Sequence, residues 1–216
     1  NSIYITILLM VTAASCQTNV PLFNGENAFA HLVKQCEFGP RNPGSIGHKN
    51  TLAYYLDFLN PLADTVFTQP YVETMPRTGK KVNMNNVIAR FNTKASKQIM
   101  ISAHWDTRPQ SELDENKANL KTPTSGANDG GSGVAVLLEV ARALTFDRSP
   151  TTVDLGFFDL EDLGNIDDLP FAIGASEFVK KNSFYRPNKG VIVDMVCDEN
   201  LLIPKELYSK RHSRQL

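Results

Sequence analysis

The sequence predicts an α/β fold of three layers, with helices on both faces of a central mixed, mostly parallel sheet. Three observations carry this. Strand-like and helix-like segments alternate from Gln98 onward: Gln98 to Ala103, Gly133 to Leu144, Val153 to Phe158, Ala172 to Lys181 and Gly190 to Val196. The run Ile99-Met100-Ile101 is apolar at consecutive positions, as in strands buried on both faces. Acidic clusters follow the strand-like runs, and in such sheets sites lie beyond the carboxyl ends of the strands.

The N-terminus is different in kind. Ile3 to Ala14 is an apolar run closed by Ala13, Ala14 and Ser15 directly before Cys16. Too short to span a bilayer comfortably, it reads as an export signal over residues 1–16. Small residues before a cysteine also match a bacterial lipoprotein signal with Cys16 lipidated, which implies a periplasmic or cell-surface protein. A buried N-terminal strand or helix is the competing reading. Asn1 in place of Met, and an end at Leu216 inside a helical pattern, imply a piece of a longer gene product. The folded domain is expected over residues 24–216, incomplete at its C-terminus.

From Asn24 to Phe38, Ala28, Phe29, Leu32, Val33 and Cys36 recur at helical spacing. Gly39-Pro40-Arg41-Asn42-Pro43-Gly44 cannot continue that helix. A second helix presents Leu52, Tyr55, Leu56 and Leu59 on one face and stops at Asn60-Pro61. Val66 to Met75 and Val82 to Phe91 read as a hairpin around Pro76-Arg77-Thr78-Gly79. Trp105 to Ser125 is long, polar and aperiodic, the pattern of a functional or disordered loop. No internal repeat or low-complexity tract is present.

At 216 residues the chain is long enough for one domain with a substantial core. The formal net charge of −1, without a dense basic stripe, gives no support for a nucleic-acid partner. The short tail Lys210-Arg211-His212-Ser213-Arg214 reads as a solvated segment. An oxidising compartment permits a Cys36–Cys197 bridge, but two small buried core residues are the preferred reading.

The chemistry lies in three clusters: His104-Trp105-Asp106, Gly126-Ala127-Asn128-Asp129-Gly130 and Asp159-Leu160-Glu161-Asp162. Acids gathered at strand ends repel one another and desolvate poorly unless a cation or a catalytic task holds them there. Asp129 precedes a glycine-rich helix entry; taken alone, it is best read as a helix cap. Glu161 and Asp162 allow one carboxylate to bind a metal while its neighbour moves a proton. Asp167-Asp168 reads as solvated loop. His104 and Asp106, two residues apart on extended chain, share a face, which suits a histidine ligand with a carboxylate beside it. Asp194, inside the apolar run Val191 to Val196, is expected to be buried, at a cost unless paired or ligated.

Together His104-Trp105-Asp106, Gly126 to Gly133, the Glu161-Asp162 pair and Asp194 resemble, in order and spacing, the zinc aminopeptidase and glutaminyl cyclase superfamily. Gly39 to Ser45 is also similar to a segment common in that group. The resemblance covers roughly residues 25 to 205 and implies the zinc aminopeptidase-like fold. Ala103 to Pro109, with Phe158 to Gly164, looks most like bacterial glutaminyl cyclases, which carry Glu-Asp where most aminopeptidases carry Glu-Glu.

That resemblance implies one zinc ion held by Asp129, Asp162 and a histidine much nearer the C-terminus. No such histidine stands in this chain, since His212 lies in the basic tail; the isolated stretch is therefore expected to bind zinc weakly and to be inactive. The implied substrates are peptides with N-terminal Gln, cyclised to pyroglutamyl peptides with loss of ammonia. Glu161 would shuttle the proton and Asp194 hold the amide nitrogen, with Trp105 and Phe171 walling the pocket of a monomer. The rival is a two-zinc aminopeptidase, in which Asp129 bridges the ions, His104 and Asp194 bind the second, and Glu161 activates water. A metal-free binding protein on the same fold is the alternative of another class.

Overall fold

A computed structural model describes residues 22–146, 149–204 and 207–212; residues 1–16, where an export signal is expected, and with them Cys16, lie outside the described residues. Helices α1 (Gly25–Glu37) and α2 (Ile46–Leu59) come first, followed by strands β1 (Thr65–Thr74), β2 (Lys81–Phe91) and β3 (Gln98–His104). Then come α3 (Gly131–Ala143), β4 (Thr152–Phe158), α4 (Ile173–Lys181), β5 (Lys189–Ile192) and α5 (Leu207–His212). Local chemistry sets the early boundaries. The Asn24 side chain accepts from the Asn27 amide to cap α1, and Ser45 accepts from His48 to cap α2. The long loop after β3 holds one 3₁₀ turn, Lys117–Asn119.

The sheet runs β1-β2-β4-β3-β5. It is mixed: β1–β2 and β2–β4 are antiparallel, while β4–β3 and β3–β5 are parallel. The parallel part therefore brings the carboxyl ends of β3, β4 and β5 to one edge, where all the acidic clusters begin.

Alternation along the strands divides the core. Val87, Ala89, Phe91, Val153, Leu155 and Phe157 point to one face, against Tyr55 and Leu59 of α2 and Val134, Leu137, Leu138 and Ala141 of α3. Ile88 and Met100 point to the other, against Phe178 of α4. These are the three predicted layers.

Several expectations need correcting. The buried stripe of α1 is Ala28, Leu32 and Gln35, while Phe29 and Val33 are exposed. Gln35 tolerates burial because its amide donates to the Gly131 carbonyl at 3.0 Å and its oxygen accepts from Tyr55 at 2.6 Å. Strand β5 ends at Ile192 rather than Val196. The following backbone is captured by the start of α3 instead: Val196 N–H donates to Ser132 Oγ and Cys197 N–H to Asn128 Oδ1. Cys197 is consequently exposed rather than in the core, and both it and half-buried Cys36 are free thiols.

Candidate metal centre

His104 closes β3 and is buried, with acids on both sides of its ring. Nδ1 lies 3.5 Å from Asp106 and 4.0 Å from Glu161; Nε2 lies 2.9 Å from Asp129 and 3.5 Å from Asp194. The 2.9 Å approach is off the N–H direction, so neither ring nitrogen makes a directed hydrogen bond.

Asp129 does not cap α3. The capping position is Gly130, in a left-handed conformation with φ 47° and no side-chain cap. A Cβ there would meet the His104 carbonyl and ring at under 3 Å, so only glycine lets the Asp129 loop pass this close. Gly133 does the same for the third element: a Cβ would lie 2.2 Å from the Val193 carbonyl. The chain after β5 thus crosses the start of α3 and sets Asp194 beside His104.

Asp194 is therefore not the buried strand residue expected. Its side chain is 48% exposed, because β5 is the edge strand among the described residues and the chain has left it by Asp194.

Glu161 and Asp162 follow a left-handed residue, Leu160, after β4. Both Asp106 oxygens accept from this turn, Oδ1 from the Glu161 amide at 2.9 Å and Oδ2 from Asp162 at 3.1 Å. Arg108 clamps the same turn, donating to the carbonyls of Asp162 (2.9 Å) and Gly164 (3.1 Å). Asp159 below it is fully buried, accepting from His48 Nε2 and from the amides of Asn85 and Leu160. Asp168 is exposed and Asp167 half-buried, and both bind Arg77 of the hairpin turn.

The electrostatics follow from this crowding. Burial alone would lower the His104 pKa, but Asp106, Asp129 and Asp194 push it up to about 12. His104 in turn holds the Asp129 carboxyl below the usual range. Burial raises Glu161, with Asp106, Asp129 and Asp194 adding to it against His104. Burial, then Asp129 and Asp106, lift Asp162 to about 7. Among the described residues, no Lys or Arg forms an ion pair with Asp129, Glu161 or Asp194.

A cation fits here. His104, Asp129 and Asp194 each offer a ligand atom, all within 4.8 Å of one another. The imidazole is buried without a directed partner, and nitrogen-plus-carboxylate donors suit zinc. Asp162 falls outside this trio, its carboxylate 3.6 Å from Arg108.

Trp105 cannot wall a substrate pocket. It is 0% exposed, stacked on His48 at 4.3 Å, with its indole N–H donating to the Asn85 carbonyl. Phe171 is half-exposed and lines, with Asp162 and Arg108, an open cleft of about 630 Å³. Residue-by-residue inference overlooked His48, Arg41 and Arg108. His48 had a signal: it stands four residues before Leu52, on the apolar stripe of its helix.

Fold and site together define a class: a three-layer α/β protein whose strand-end acids and histidine converge on a cation position. The chain belongs to peptidase family M28, whose sequence profile matches residues 86–214. Its fold is shared with a Zn-dependent exopeptidase from Parabacteroides distasonis, 34% identical with a TM-score of 0.83; the match covers 90% of this chain and 69% of that one. Tannerella forsythia glutaminyl cyclase is 30% identical with a TM-score of 0.82, over 90% and 69% of the two chains. A probable zinc metalloprotease of the fungus Pyrenophora tritici-repentis is 31% identical over 103 residues, 46% of this chain. The match spans only 20% of that fungal protein's length.

Proposed function

We propose that this protein is a zinc-dependent glutaminyl-peptide cyclotransferase, closing N-terminal Gln to pyroglutamate with release of ammonia. One observation carries the reading. The Trp105-Asp106-Thr107-Arg108 segment and the Glu161-Asp162 segment, whose sequences point to cyclases, are interlocked through the hydrogen bonds of Asp106 and Arg108.

In this reading the substrate α-amine attacks its own side-chain carbonyl. The lactam C–N bond forms as the bond to the amide nitrogen breaks. Glu161, whose carboxyl is raised and half-exposed, accepts the proton from the amine and returns it to the departing ammonia. Asp194, exposed at the rim, accepts a hydrogen bond from the substrate amide nitrogen. Zinc held by Asp129 and Asp162 would supply Lewis acidity to the carbonyl. The enzyme would work as an exported monomer, with a lipid anchor at Cys16 as its link to a membrane.

A second reading rests on its own observation, the His104, Asp129 and Asp194 trio. A cation there, beside another at Asp162, is the arrangement a hydrolytic aminopeptidase needs, with Glu161 taking a proton from water. Protein expressed from the whole reading frame that encodes this chain would be given Gln-peptides and Leu-anilides. Pyroglutamate formation supports cyclisation; free Leu without pyroglutamate sinks it.

A further inference from the structure

We propose that Arg41 is a positioning residue for the cation site, its guanidinium tying the His104 strand end to the Asp129 loop and so setting the distance between those two ligands. Arg41 lies in the Gly/Pro-rich break between α1 and α2, yet its side chain is 0% exposed. Nε donates to the Trp105 carbonyl at 2.9 Å, one residue beyond His104. The two terminal nitrogens donate to the carbonyls of Ser125 (3.2 Å) and Gly126 (2.6 Å), at the start of the loop that carries Asp129. Its own backbone N–H donates to Thr107 Oγ1 at 2.9 Å. One rigid planar fork thus spans both ligand-bearing segments.

The charge is as informative as the contacts. Among the described residues Arg41 has no carboxylate partner, and a neutral amide would serve to satisfy loop carbonyls. A fully buried cation needs counter-charge. Asp129 answers it through space, and Arg41 helps hold that carboxyl in its ionised form. Supporting groups of this kind are worth roughly 10- to 100-fold in metal affinity. The inference rests on the second reading, in which His104 and Asp129 both meet a cation; in the cyclase reading Asp129 alone of the two is a ligand.

The test compares the parent, Arg41→Lys and Asp154→Asn proteins. Zinc and cobalt(II) affinities are measured by chelator competition, with the visible absorption of the cobalt forms as a probe of ligand geometry. Arg41→Lys keeps the charge and loses the fork. We expect it to bind both ions about 10- to 100-fold more weakly, with an altered cobalt spectrum. Asp154→Asn, destabilised away from the site, is expected to keep parental affinity and spectrum. Parental values for Arg41→Lys overturn the proposal, as does an equal loss in Asp154→Asn. Should Arg41→Lys fail to fold, Thr107→Val is the milder probe: a smaller loss in the same direction is expected, and no loss refutes the assignment. A parent protein that binds neither ion overturns the cation reading together with the role of Arg41.

Discussion

Two acidic regions of the sheet, the middle of β4 and the carboxyl ends of β3, β4 and β5, are neutralised in opposite ways. Asp154, in mid-strand, is fully buried and surrounded by donors: Arg90 binds both oxygens at 2.6 and 2.8 Å, and Gln98 and Tyr185 each donate at 2.7 Å. Past the strand end, four carboxylates (Asp106, Asp129, Glu161 and Asp194) crowd a single imidazole. A structural acid arrives with its counter-charge. The acids of the site outnumber the positive charge that His104 and Arg41 bring to them, and that deficit is what a cation would relieve. Asp159 lies between the two in character: His48 and two amides satisfy it, yet burial keeps its carboxyl above the usual range.

Substitutions can break this contrast. The largest expected effect is on rate. Glu161→Gln should lower turnover by about 10²- to 10⁴-fold, with folding unharmed because a repulsive charge has been removed. An unchanged rate in steady-state assays would remove Glu161 from the chemistry. Next comes Asp154→Asn, which leaves Arg90 without its buried partner. It should cost roughly 3 kcal/mol by denaturant unfolding, at the low end for a broken buried pair because Arg90 keeps some access to water. A loss of metal affinity in that variant would erase the distinction between the two groups.

The smallest effect is the pH response of chelator-treated protein. Asp162 holds its proton to about pH 7 when folded, against an ordinary 3.8. It thus contributes stability that is full below 3.8 and lost as pH rises through 7. His104, raised from 6.5 to about 12, contributes stability that is full below 6.5 and lost as pH climbs toward 12. Both terms have the same sign, so thermal stability should fall from acid to alkaline pH. Asp129, held low, acts the other way, losing its contribution as pH falls below 3.8. Asp162→Asn should flatten the part of the curve below about pH 7. A melting temperature that rises over that range would contradict the charge deficit.

Most of the layer order was legible in advance. Each strand and helix of the central alternation occurs within a few residues of its expected limits, because apolar periodicity reflects burial directly. The errors fall where contacts distant in sequence override that signal. Gln35 sits on the buried stripe of α1 because Gly131 and Tyr55 meet its amide. Trp105, beside a site histidine, belongs to the core because His48 stacks on it. Asp194 is exposed because α3 draws the chain out of β5.

What the sequence determined by itself was the kind of chemistry. Acids and a histidine placed after apolar strands predict a cation centre at the carboxyl edge of a sheet, since strand direction and side-chain alternation are local properties. Which ligands actually converge was decided by the tertiary structure. His104, Asp129 and Asp194 meet only because Gly130 and Gly133 allow two backbones to pass at contact distance. The Arg41 fork, reaching 64 and 85 residues along the chain to Trp105 and Gly126, spans the strand end and the loop that bear two of them. Such contacts depend on where folded segments cross, and spacing along the chain does not encode that.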